Sequence, residues 1–93
     1  MSKENKVLPT VHNNGTSARD LTEGNMLAGN AVNNALEVIR KVEFNARDYY
    51  PQGMDKWDAA VAERSIHIKA LRDAAEYFQN LAIHCSDFIK EGQ

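Results

Sequence analysis

The feature that most constrains this chain is an apolar stripe that runs unbroken through its C-terminal half. Trp57, Val61, Arg64, Ile68, Leu71, Ala75, Phe78, Ala82, Cys85 and Ile89 recur at alternating three- and four-residue steps over more than four heptads. Ala60, His67, Ala74, Leu81 and Phe88 form an adjoining row at seven-residue spacing. Only a helix puts such residues on one side, and at 1.5 Å per residue this one would be roughly 50 Å long. Asp55 or Asp58 is positioned to cap its start, and it should continue to about Lys90, with Gly92 ending it.

A second, weaker helical pattern precedes it, from about Ala18 to Phe44. Leu21, Asn25, Ala28, Val32, Ala35, Ile39 and Val42 keep the same spacing, with Asn25 as the polar member. Thr16 or Ser17 is a natural N-cap, because a hydroxyl can accept from a free first-turn N–H; Asp20 and Glu23 follow where the helix dipole favours carboxylates. Gly24, Asn25, Gly29, Asn30, Asn33 and Asn34 are weak helix formers, so this half should depend on packing, and either glycine is a candidate bend. Ala28, Gly29, Ala31 and Ala35 would admit a close neighbour.

The expected fold class is therefore all-α. Residues 1–11, interrupted by Pro9, read as a flexible or loosely docked arm, and residues 12–93 as one domain, a long antiparallel helical hairpin. Two helices cannot enclose a core, and Ile66, Tyr77 and Ile83 lie off the main stripe. The hairpin is thus expected to assemble into a homo-oligomeric helical bundle, a dimer or higher.

Composition narrows the setting. Eleven basic and 13 acidic residues give a net charge of -2, without the basic stripe of a duplex-nucleic-acid binder. A single cysteine, Cys85, excludes an internal disulfide framework and suits a reducing compartment. No apolar run nears the ~20 residues of a membrane span, and no secretory signal is evident at the start. The expected location is the cytoplasm. The Asn14-Gly15-Thr16 acceptor pattern for glycosylation has no role there.

The connection Asn45-Ala46-Arg47-Asp48-Tyr49-Tyr50-Pro51-Gln52-Gly53 is richer than a turn between helices requires. Arg47 offers a planar fork for phosphate or carboxylate. Tyr49, Tyr50 and Trp57 offer flat faces to a base, and Asp48 and Gln52 can read amides or hydroxyls. The structural alternative has Pro51 and Gly53 making the turn, one tyrosine plugging the bundle end, and Arg47 pairing with Asp48 or Asp55. A second candidate is the segment from His12 through Asn14, Gly15, Thr16 and Ser17, where free N–H groups at a helix start attract anions; ordinary capping explains it equally. Arg64, set among apolar residues, needs an anion, either a carboxylate such as Asp20, Glu23 or Asp48 from the same or a neighbouring chain, or a phosphate entering between helices. Glu63 and His67 share a helical face, but nothing repeats them, and His84 and Cys85 point to different faces. No nucleophile–base spacing, glycine-rich phosphate cradle or paired-carboxylate motif appears, so neither an enzyme, a metal site nor a cofactor is expected.

Two blocks, Val11-His12-Asn13-Asn14-Gly15-Thr16-Ser17 and Arg47-Asp48-Tyr49-Tyr50-Pro51-Gln52-Gly53, resemble the signature blocks of a family of small phage and prophage proteins without an assigned activity. The resemblance covers about residues 11–86 and implies a phage-encoded accessory protein acting in the host bacterial cytoplasm. In size and layout the chain is also similar to phage anti-defence proteins that oligomerise and sequester cyclic-oligonucleotide or NAD-derived immune signals without cleaving them. No binding residue of theirs matches onto this chain, so that likeness is architectural only. The function expected is capture of a small anionic, nucleotide-derived ligand by such a sponge. The alternative is a protein–protein interaction module, either an inhibitor of a host protein or a small structural phage component.

Overall fold

The computed structural model describes residues 7–90. Two α-helices, α1 (Ala18–Arg40) and α2 (Met54–Lys90), account for most of them, and no strand occurs among the described residues. They lie side by side in a hairpin-like shape of 61 × 23 × 20 Å. Their contacts run in opposite directions: the Ile39 end of α1 meets Arg64, whereas Gly29 meets Ala75 and Gln79. No helix among the described residues is long and apolar enough to cross a membrane.

Ser17 begins α1, its Oγ accepting from the Asp20 N–H at 3.0 Å. The helix is continuous through Gly24 and Gly29, but it stops at Arg40 rather than Phe44. Lys41 and Val42 turn out of it, their N–H groups donating to the Val38 and Ile39 carbonyls at 3.0 Å each. That early end releases Phe44 to fold back against α2. The seam also sits one residue off the expected stripe. Ala18, Thr22, Gly29 and Leu36 are buried, while Ala35 is exposed. Asn25, half-buried, ties its side-chain amide to the Leu21 carbonyl at 2.8 Å, which satisfies a polar group inside the helix's own ladder.

The connection is two short 3-10 turns, Ala46–Asp48 and Tyr50–Gln52, in which Asp48, Tyr49, Gln52 and Gly53 each donate a backbone hydrogen bond three residues back. Gly53 has φ +120°, a conformation that L side chains rarely adopt, and Asp55 Oδ1 lies 2.8 Å from where a Cβ would stand. The second helix then starts at Met54, so neither Asp55 nor Asp58 is its N-cap; the Gly53 carbonyl instead accepts from the Lys56 N–H at 3.0 Å. Its C-terminal limit at Lys90 agrees with the sequence, and Gly92 lies outside the described residues.

The core is thin. Ala18, Leu36, Ala75, Leu81, Ala82 and Cys85 are its buried apolar side chains, and three of these are alanines. Large apolar residues remain outside it on both helices, including Leu27 (65% exposed), Val38 (64%) and Ile66 (66%). Leu27 and Val38 are eleven residues apart, as are Ile66 and Tyr77, so each pair shares one helical side.

Of the arm, residues 1–6 lie outside the described residues. Farther on, the Pro9 carbonyl meets His84 Nε2 at 3.0 Å; because a carbonyl only accepts, that nitrogen carries the proton. His84 also packs its ring edge-on against Phe88.

Candidate functional site

The two sets of residues singled out from the sequence stand at opposite ends of the molecule. Arg47, Asp48, Tyr49, Tyr50, Gln52, Trp57 and Arg64 gather around the connection, and His12, Asn14, Gly15, Thr16 and Ser17 around the start of α1. One copy of the chain therefore does not join them into one site.

At the connection, three aromatic rings form the platform. Phe44 lies 5.7 Å from Tyr49 and 4.8 Å from Trp57, and Tyr49 lies 5.7 Å from Trp57. Tyr49 is half-buried and packs against Phe44 and Trp57, both half-buried themselves. Tyr50 turns away and is 48% exposed. Arg47, Asp48 and Gln52 are exposed too, and Arg47 pairs with neither Asp48 nor Asp55. Ion pairs form elsewhere, among them Arg40–Glu37 and Lys69–Asp73, each 2.9 Å and solvent-facing.

Within the chain, Arg64 finds a different partner from the carboxylates expected for it. It meets no carboxylate of Asp20, Glu23 or Asp48; its Nη2 donates to the Ile39 carbonyl at 3.2 Å and its guanidinium carbon stands 4.7 Å from the Phe44 ring centre. The Ile39 oxygen already accepts from the Val42 N–H, so Arg64 fills its second lone pair. The unpaired carbonyls at a helix C-terminus carry partial negative charge, and they serve here as the anion that the arginine needs.

Beside this platform opens a cavity of about 360 Å³, lined by Phe44, Tyr49, Arg64, His67, Glu43 and Glu63 among others. Of the residues predicted for the loop site, only Tyr49 and Arg64 line it. Phe44 is the residue that the sequence reading passed over. Placed at the end of a helix by periodicity alone, it in fact contacts Tyr49, Trp57 and Arg64 together.

At the other end, the Gly15 N–H donates to the His12 carbonyl at 3.1 Å, closing a turn. The His12 ring folds over Gly15 so closely that a Cβ there would stand 2.8 Å from Nε2. An open cavity of about 370 Å³ is lined by His12, Asn13, Gly15, Ser17, Arg19 and Asp20, among others. Asn14 and Thr16 are exposed beside it. Ser17 spends its oxygen on capping, and the cavity's lining carries one charge of each sign, Arg19 and Asp20, so it has no net positive charge to draw an anion.

Cys85 is fully enclosed, and burial raises its thiol pKa, so it is held as the neutral thiol and is a poor nucleophile. A third cavity, about 270 Å³, opens between the helices around Met26, Asn30, Gln79 and Ile83, none of which the sequence offers as a ligand-binding candidate. No family model matches the chain, and neither a curated protein nor a solved structure matches it.

Proposed function

We propose that this chain is a homo-oligomeric helical binding protein that captures a small anionic ligand of nucleotide type and holds it without cleaving it. One observation carries the reading. The side chains of Arg47 and Tyr50 stand exposed, with no hydrogen-bond or ion-pair partner among the described residues, on a connection whose backbone is fixed by consecutive turns and by the Phe44–Tyr49–Trp57 packing. With the backbone already fixed, only side-chain freedom remains to be lost when this cation and ring meet phosphate and base. In this reading Arg47 neutralises phosphate, Tyr50 stacks on a base, and Asp48 and Gln52 contact the sugar or the base edge. Tyr49, Trp57 and Arg64 hold the platform.

The antiparallel hairpin is the unit of assembly, and the exposed rows of Leu27 and Val38 and of Ile66 and Tyr77 support burial against further copies. The setting is the one the sequence blocks imply, a phage accessory protein in the bacterial cytoplasm that removes a nucleotide-derived immune signal.

Native mass spectrometry of the protein with a panel of cyclic dinucleotides, cyclic trinucleotides and ADP-ribose derivatives tests both parts. The expected result is one defined oligomer that gains intact ligand masses. Arg47→Ala should lose at least tenfold in affinity while keeping its helical circular dichroism and its oligomer mass. An oligomer that takes up no nucleotide, yet retains one stoichiometric host protein from lysate, would transfer Arg47 and Tyr50 to the alternative role of anchors in a protein interface.

A further inference from the structure

We propose that the groove lined by Met26, Asn30, Gln79, Ala82, Ile83 and Ser86 is a binding site for one planar heteroaromatic ring of nucleobase type. It lies between the helices in the half of the molecule away from the connection, so it uses neither Arg47 nor Tyr50 and stands apart from the reading above.

Its chemistry is that of a ring site. Met26 comes from α1 and Ile83 from α2, so the groove has an apolar side chain on each wall, with buried Ala82 between the helices. A thioether is polarizable and favours contact with aromatic rings. No ionisable side chain lines the groove, which argues for a neutral moiety and against phosphate. Its volume, about 270 Å³, is at the small end for ligand pockets and suits a single ring system rather than a whole dinucleotide.

The polar groups are amides, and they are free. Asn30 and Gln79 each bring a donor and an acceptor, and neither has a hydrogen-bond partner among the described residues. Side-chain amides of this kind pair with an adjacent donor and acceptor on a base edge, as with N6 and N7 of adenine. Ser86 donates its proton to the Ile83 carbonyl at 2.8 Å, which leaves its oxygen to accept.

Gln79 is also seated. Gly29, buried in α1, brings the helices close enough that a Cβ on it would come within 3.0 Å of Gln79 Cγ and 3.4 Å of the Ala75 carbonyl. A glycine inside a helix is unfavourable by about 1 kcal/mol against alanine. Here its bare backbone is the surface on which the Gln79 stem rests, which restricts where the amide can go.

The test uses the full-length protein with ¹³C-labelled methionine methyls and adenosine as the probe, because a nucleoside carries no phosphate and does not need Arg47. Met26 lies in the groove, and Met54 starts α2 at the far end, as an internal control. The expected result is a saturable shift of the Met26 methyl at millimolar adenosine, with Met54 unmoved. Gln79→Met keeps the stem on Gly29 and removes the amide; Asn30→Leu does the same for its position. Each should weaken adenosine binding three- to tenfold, the worth of one or two hydrogen bonds. Toluene, a ring with no polar edge, should bind more weakly than adenosine and lose nothing in either variant. A Met26 signal that adenosine does not move, as when a second copy covers the groove, would overturn the proposal. So would equal affinity of wild type and both variants.

Discussion

Arg64→Met keeps most of the arginine stem and removes its guanidinium, taking away both the hydrogen bond to Ile39 and the stacking on Phe44. Together these are worth about 1–2 kcal/mol at a half-buried site. Urea unfolding followed by circular dichroism should show a loss of that size, and Arg64→Lys should recover less than half of it, since a point charge cannot donate in one plane and stack in another. Equal midpoints for all three would remove Arg64 from the scaffold. The need of this residue for a partner was legible in the sequence, because a cation stood on an apolar stripe. The partner was not, because a helix-end carbonyl becomes available only where the helix happens to stop. The same holds for the loop tyrosines: the residue types allowed both rings to face a ligand or one to pack inward, and only the tertiary path of Phe44 decides that Tyr49 packs and Tyr50 does not.

At the scale of the element, the two glycines of α1 give opposite expectations. Nothing lies within 4 Å of a Cβ built on Gly24, so Gly24→Ala should stabilise the protein by roughly 0.5–1 kcal/mol through helix propensity and lower unfolded-state entropy. Gly29→Val must displace Gln79 and crowd the α2 backbone, costing about 1–3 kcal/mol. Thermal melts of the two variants should therefore move in opposite directions; two upward shifts would mean that the helices do not approach closely at Gly29. The expected stripe of α1 is half-buried at five of its seven members, Leu21, Asn25, Ala28, Val32 and Ile39, but the most buried positions lie beside it. At Ala28 and Gly29 the alanine is the more hydrophobic, yet the glycine is buried, because close approach rewards the smallest residue; at Ala35 and Leu36 the larger apolar side chain is simply the buried one. The stripe of α2 contains no such competition, and nine of its ten members are at least half withdrawn from solvent, Val61 being the exposed one. The boundary at Arg40 was hidden for another reason: Val42 and Phe44 continue the helical period, and only packing against α2 draws them out of it.

For the whole molecule, the imbalance between a small core and exposed apolar rows sets the expectation. Leu27→Glu combined with Ile66→Glu places a charge on each row without touching the seam between the helices. Sedimentation velocity should then show a smaller species than the wild type, and a less stable one, as burial of two aliphatic side chains stabilises by about 3–6 kcal/mol. An unchanged sedimentation coefficient would mean that those rows meet something other than another copy.

The contacts that tie α2 to the chain before it are spaced along the sequence like the teeth of a zip. Arg64 meets Ile39 across 25 positions, whereas His84 meets Pro9 across 75. Tripling the loop raises the entropy of closing it by about 1 kcal/mol, so the connection should close first and the other end last. Replacements around Phe44 and Arg64 should accordingly slow refolding, and replacements around His84 should mainly hasten unfolding. The end that carries Arg47 and Tyr50 is then also the first part of the molecule to take shape, and in a population caught part-way open it is the end that stays formed.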